Sequence, residues 1–230
     1  MHLLPFFKHF ASQVLQPECV FCGQKRLAAY PLCQPCYTEL PWLAAEYNYP
    51  LADCDDCISA FAYYAPIRQL LLGVKFGKHL RTLQLLGELT AVGILPQISA
   101  VPEAILPIPL HSRRLQQRGF NQALELARPL AQQLGIPLLS RAVTRQKSTQ
   151  RQTELTAEQR QENMHQAFQL TTALPYKHLA IFDDVITTGA TCRELARTLR
   201  ANGVQTIQVW SCARPILRQK CELDKHIDYY

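Results

Sequence analysis

Two groups of residues in this chain have the types and spacing for chemistry. The first is Asp183-Asp184, followed after two apolar residues by Thr187-Thr188-Gly189-Ala190-Thr191. Adjacent carboxylates accept hydrogen bonds from vicinal hydroxyls. A short turn bearing hydroxyls and glycine, placed where a helix opens, offers free N–H groups and a positive dipole end to a phosphate. A sugar phosphate satisfies both at once, its hydroxyls on the acids and its 5′-phosphate in the turn. The second group is six cysteines in three Cys-x-x-Cys pairs, Cys19/Cys22, Cys33/Cys36 and Cys54/Cys57. Four thiolates close a tetrahedral zinc site, with no open position when the role is structural. Cys19, Cys22, Cys33 and Cys36 form two knuckles and are the expected ligands, while the third pair exceeds what one zinc takes. Cys192, Cys212 and Cys221 stand singly and are expected to be small packing residues.

The elements around these groups can be read from periodicity. Residues 2–15 place Leu3, Phe6, Phe7, Phe10 and Val14 on one face of an amphipathic helix, fit to dock on the protein's own core or to make a peripheral membrane contact. Residues 17–57 have almost no periodicity, so their order must come from metal. A βαβ rhythm then begins, with helical segments 66–72 and 80–94, a strand 104–108, a helix 121–134 stopped by Gly135 and Pro137, and a strand near 138–143. A long polar stretch, 144–163, follows. Strand 178–182 runs into Asp183, and helix 191–201 and strand 206–212 complete the pattern. Alternation of this kind implies a parallel sheet covered by helices on both faces. The acids therefore belong at the C-terminal edge of a buried strand, where open α/β sheets bind ligands. Two parts are expected, a helix with a cysteine-rich zinc module in residues 1–58 and an α/β domain in 59–230.

Charge is unevenly distributed. The chain carries a formal net charge of +6, yet residues 1–60 hold three Lys/Arg against six Asp/Glu. Residues 111–160 hold nine basic side chains (Arg113, Arg114, Arg118, Arg128, Arg141, Arg145, Lys147, Arg151 and Arg160) against Glu125, Glu154 and Glu158. That one stretch equals the whole net charge and suits a phosphate-rich partner, either a small polyphosphate or a nucleic acid backbone. No apolar run reaches the roughly 18–20 residues that span a bilayer, and no small-residue cleavage site follows the first apolar stretch. A cytoplasmic location is expected, with the inner face of the inner membrane as the place of any membrane contact.

The stretch 180–191 resembles the phosphoribosyl-pyrophosphate (PRPP) motif of type I phosphoribosyltransferases. The resemblance implies that Asp183 and Asp184 hold the ribose hydroxyls, that Thr187, Thr188, Gly189, Ala190 and Thr191 cradle the 5′-phosphate, and that Mg2+ accompanies PRPP. A narrower resemblance covers nearly the whole chain. Residues 105–122, ILPIPLHSRRLQQRGFNQ, are similar to the Pro-x-Pro…Arg-Gly-Phe-Asn-Gln signature of the competence protein F (ComF) family, and Lys75-Phe76-Gly77 to its Lys-Phe-x-Gly segment. The paired cysteines match its N-terminal zinc module. Arg145, Gln150, Leu155, Arg160 and Asn163 fall where that family carries its Arg…Gln…Leu…Arg…Asn pattern. By this resemblance, residues 144–163 correspond to a mobile hood. Arg113, Arg114, Arg118 and Lys75 are then candidates for pyrophosphate or DNA phosphate.

Two function classes follow. One is a PRPP-binding competence protein that handles incoming single-stranded DNA, in company with other DNA-uptake proteins. The other is an enzyme that transfers phosphoribose from PRPP to an acceptor for which the sequence carries no signature. A regulatory protein with PRPP as effector ranks third, since no DNA-reading helix accompanies the motif.

Overall fold

The computed structural model describes residues 18–25, 32–76, 80–146 and 167–216. The chain divides into two compact units, Met1–Leu40 and Pro41–Tyr230. The amphipathic helix read over residues 2–15 lies outside the described residues. So do Gly77, Cys221 and residues 147–166, which hold most of the polar stretch.

The first unit is organised by tight turns. Glu18 and Lys25 pair as an antiparallel bridge. Between them the Cys19 N–H donates to Gln24 O at 2.8 Å and the Gly23 N–H to Cys19 O at 2.9 Å. Helix α1, Gln34–Thr38, starts from Cys33 with Pro35 in its first turn, where a missing N–H costs nothing.

In the second unit, strands β1 (Asp56–Ala62), β2 (Ala104–Pro107), β5 (His178–Val185) and β6 (Thr206–Arg214) form one parallel sheet in the order β1-β6-β5-β2. Strands β3 (Val143–Arg145) and β4 (Phe168–Leu170) form a separate antiparallel pair. The helices are α2 (Ile67–Phe76), α3 (Leu80–Ile94), α4 (Ser112–Arg118), α5 (Gln122–Leu134) and α6 (Ala190–Ala201). Period-two alternation along β5 sends Leu179 and Ile181 to the face covered by Leu195, Ala196 and Leu199 of α6. Ala180 and Phe182 turn to the other face, where α3 and α5 pack. Burial on both faces explains why β5 and β6 read as nearly continuous apolar runs.

Most expected elements are present, and the differences have physical causes. Strand β1 starts within the last residues of the cysteine-rich segment, because Cys57 is not a ligand-like loop residue but the first fully buried side chain of a strand paired with β6. The strand expected near 138–143 resolves into a single parallel bridge from Leu138 to Ile105 and the separate β3. Helix α4 was not anticipated, since its sequence SRRLQQR leaves only one exposed apolar residue, Leu115, to signal a period. Helix α5 has the expected caps: Asn121 Oδ1 accepts the Ala123 N–H at 3.1 Å, and Gly135 ends it in the left-handed conformation. Among the described residues, no helix is long and apolar enough to cross a membrane.

Candidate functional site

The site is built by a difference in strand length. Strand β2 pairs with β5 only as far as Pro107 opposite Phe182, with one further bond from the Ile108 N–H to Phe182 O at 2.8 Å. Strand β5 continues through Asp183, Asp184 and Val185, supported there by β6 alone. The chain after β2 continues into α4, so the acids stand at the C-terminal edge of the sheet beside a strand edge that β2 no longer covers. This is where an open α/β sheet presents ligand-binding groups.

The two carboxylates diverge. Asp183 acts electrostatically on Cys192 of α6 and on Arg145, whereas Asp184 acts on Cys212, which shares the other face with Thr90 of α3. Each carboxylate also accepts the next backbone N–H, Asp183 Oδ1 from Asp184 at 2.9 Å and Asp184 Oδ1 from Val185 at 3.0 Å. Those bonds set the carboxylate orientation at a strand end that has lost its neighbour.

The turn that follows is pinned at both ends. Ile186 donates its N–H to Ala213 O at 3.0 Å, and Arg193 donates to Gly189 O at 2.9 Å to begin α6. Thr187 and Thr188 are exposed, and Gly189 is buried with φ of 71°. No side chain caps α6 at Gly189, and the Ala190 N–H makes a long contact of 3.4 Å to Thr188 Oγ1, which leaves first-turn amides of α6 available to an anion. A Cβ on Gly189 would lie 2.7 Å from both Cδ atoms of Leu51. Gly189→Ala is therefore expected to cost about 1–2 kcal/mol from left-handed backbone strain alone, before Leu51 is displaced. The urea midpoint should fall accordingly, and an unchanged midpoint would mean that the turn relaxes freely.

Of the basic residues expected here, the structure singles out one and adds another. Arg114 lies close enough to Arg145 to oppose its charge, and Asp183 counters that repulsion; burial is the largest influence and draws the Arg145 guanidinium below its ordinary value. Arg145 stands at the end of β3 with its guanidinium carbon 5.6 Å from the ring centre of Phe168 in β4. The sequence showed it only as one member of a spaced pattern, because its nearness to Phe168 and Asp183 depends on segments distant in the chain. Arg113 is exposed on α4. Arg118 donates from Nη1 to Gln122 Oε1 at 2.9 Å and so helps brace the corner between α4 and α5. In that corner Gly119 takes φ of 78°, and Asn121 Nδ2 donates to Ile108 O at 2.9 Å. Arg118-Gly119-Phe120-Asn121-Gln122 thus orients the helix carrying Arg113 and Arg114. Lys75 falls in the last turn of α2, and its side chain lies outside the described residues. Phe168 is only 5% exposed, so its ring packs in the core rather than offering a face to a base.

The first unit holds the other cluster. The sulfur atoms of Cys19, Cys22, Cys33 and Cys36 all lie within 4.8 Å of one another, with Cys22 and Cys33 at 3.5 Å. Zinc–sulfur bonds of about 2.3 Å in a tetrahedron require sulfur separations of about 3.8 Å, so the donor set fits zinc. Burial raises the Cys19 thiol, but the backbone N–H groups of Cys33, Cys22 and Phe21 outweigh it and leave the pKa at about 6. Cys36 is held well above its ordinary value, first by Cys22 and then by burial. Four thiols this close ionise together only around a cation. Cys54 and Cys57 belong to the second unit, where Cys57 packs under α6 with Cys192, and Cys212 is likewise buried.

No family model matches the chain. Over 216 residues it is 35% identical to competence protein F of Haemophilus influenzae, an alignment spanning 90% of this chain and 93% of that protein. It is 33% identical over 209 residues to the DNA utilization protein YhgH of Salmonella typhimurium and 31% identical over 209 residues to that of Escherichia coli K12, each alignment spanning 86% of this chain and 90% of the relative. Among solved structures, UMP synthase of Leishmania donovani aligns with 80% of this chain and 31% of its own length, at 17% identity and a TM-score of 0.39; that likeness is too slight to carry an argument.

Proposed function

The chain belongs to the competence protein F family, and on that premise we propose that it is a PRPP-binding protein that handles incoming single-stranded DNA during natural transformation. Its relatives are named for competence and for DNA utilization, which supports a role in taking up or using DNA. The observation that carries the ligand assignment is the placement of Asp183 and Asp184 at the uncovered end of β5, directly before the turn that opens α6 without a side-chain cap, with Arg145 near enough to Asp183 and Arg114 for their charges to interact. Carboxylates suit the ribose hydroxyls, the turn Thr187–Thr191 suits the 5′-phosphate, and the two guanidiniums suit the pyrophosphate. Mg2+ accompanies the diphosphate as a hard cation that prefers phosphate and carboxylate oxygens. A structural zinc on Cys19, Cys22, Cys33 and Cys36 orders the first unit.

The second reading is catalytic transfer of phosphoribose. It is favoured by the β3–β4 hairpin, which carries Arg145 near enough to Asp183 for their charges to interact and so places a basic group where an acceptor could be covered. Incubation of the protein with PRPP and Mg2+ in the presence of candidate bases and amines decides between the two, because only turnover releases pyrophosphate. Binding without release supports the first reading, and acceptor-dependent release replaces it with the second.

DNA binding is tested separately. Arg113 and Arg114 are exposed on α4, and Arg118 sits behind them. Fluorescence anisotropy across a salt series should show affinity for labelled single strands of any sequence, falling steeply as salt rises and exceeding that for duplex. The triple variant Arg113→Ala, Arg114→Ala, Arg118→Ala should bind more weakly with a salt slope shallower by about 2–3. Equal affinity of variant and wild type would remove this surface from consideration.

A further inference from the structure

Arg214 is the last residue of β6 and is 1% exposed. Its guanidinium carbon stands 3.8 Å from the centre of the Tyr49 ring, and Nη1 donates to Tyr49 O at 3.3 Å and to Cys57 Sγ at 3.5 Å. Nε and Nη2 are buried and have no hydrogen-bond partner among the described residues. Burying a guanidinium against a ring, a carbonyl and a thiol is costly, and an apolar side chain of similar volume would fill the space at less expense. The contacts of Arg214 therefore point to something they hold in place.

What they hold is the chain segment beneath the turn. Tyr49 is two residues from Leu51, whose Cδ atoms occupy the space a Cβ on Gly189 would need. Leu51 O accepts the Cys54 N–H at 3.1 Å, and the Asp55 N–H is bound to Ile207 O at 2.8 Å, so the segment runs from Arg214's grip straight into the sheet. On the other side, Ala213 next to Arg214 accepts the Ile186 N–H, immediately before Thr187. The charge of Arg214 is also felt by Cys192 in the first turn of α6. Both sides of the turn are thus referred to one buried side chain.

We infer that Arg214 is a positioning residue for the phosphate-accepting turn: by clamping Tyr49 it keeps Leu51 seated under Gly189, and the seated Leu51 holds residues 187–191 in the form that presents their amides. This rests on reading that turn as the 5′-phosphate site. Nothing in the arrangement concerns the pyrophosphate, which the proposed reading assigns to Arg114 and Arg145.

Calorimetric titration of the full chain with ribose 5-phosphate, and separately with pyrophosphate and Mg2+, tests the inference. Arg214→Gln should weaken ribose 5-phosphate about tenfold or more, a loss far beyond titration error, while pyrophosphate affinity stays close to wild type. Arg214→Lys, which keeps the charge and a donor for Tyr49 O but not the plane on the ring, should fall between the two. Leu51→Ala removes the prop without touching any charge and should reproduce the selective loss. Equal ribose 5-phosphate affinity in Arg214→Gln and wild type overturns the inference, as does a parallel loss of both ligands, which marks general damage. If Arg214→Gln does not fold, undiminished binding by Leu51→Ala overturns it instead. A wild-type protein that binds pyrophosphate but not ribose 5-phosphate overturns the assignment of the turn itself, a failure distinguishable from that of Arg214.

Discussion

Asp183→Asn combined with Asp184→Asn should abolish the thermal stabilisation that PRPP with Mg2+ gives the wild-type protein. A ligand at about a hundred times its dissociation constant adds about 2.7 kcal/mol to the unfolding free energy. For a chain of this size that corresponds to a rise in Tm of about 5–10 °C. The double variant is a useful test because the backbone hydrogen bonds of the acids survive it. Asn retains an Oδ1 that can accept the Asp184 and Val185 N–H bonds now made by the carboxylates. What disappears is the negative charge proposed to meet the ribose hydroxyls and the cation, and with it the counter-charge that Asp183 offers Arg145. Differential scanning fluorimetry with and without ligand gives the answer. An undiminished shift in the double variant would show that the carboxylates do not hold the sugar.

Replacing one zinc ligand should have a larger effect on a smaller part of the molecule. Cys33→Ser is expected to reduce bound zinc from about one equivalent to near none and to unfold the Met1–Leu40 unit. That unit's described residues hold a single five-residue helix, one antiparallel bridge and few buried apolar side chains beyond Leu32 and Leu40. Such a segment cannot offset its conformational entropy by burial. Structural zinc supplies on the order of 10–16 kcal/mol in comparable small modules, far more than the local hydrogen bonds. Elemental analysis and limited proteolysis read the two consequences. A wild-type protein without metal, or a variant whose first unit stays as resistant to protease as wild type, would refute the role of zinc.

The sequence by itself determined the features that depend on near neighbours in the chain. Alternating apolar runs announced a parallel sheet with helices on both faces, and Asn121 and Gly135 marked the ends of α5 because caps act within a few residues. Cys19/Cys22 and Cys33/Cys36 could be assigned to one cluster because each pair is a local knuckle, and the structure brings the four sulfurs together. The sheet-edge position of Asp183-Asp184 followed from a hydrophobic strand running into charge.

The tertiary structure alone decided which of several plausible partners meet. Cys54 and Cys57 have the same spacing as the other pairs, yet Cys57 lies in β1, because residues 56–62 find a hydrogen-bonding edge on β6 some 150 residues away. Arg145 was one of nine basic residues in a charged stretch. Its selection over its neighbours comes from the hairpin between β3 and β4, which places it by Phe168 and near both Arg114 and Asp183. Leu51 and Arg214 carried no signal at all, one an isolated apolar residue and the other a charge at a strand end. Their connection to Gly189 exists only once β1, β6 and α6 have packed, because contacts between distant segments depend on where the whole sheet puts them and leave no periodic trace in the residues that make them.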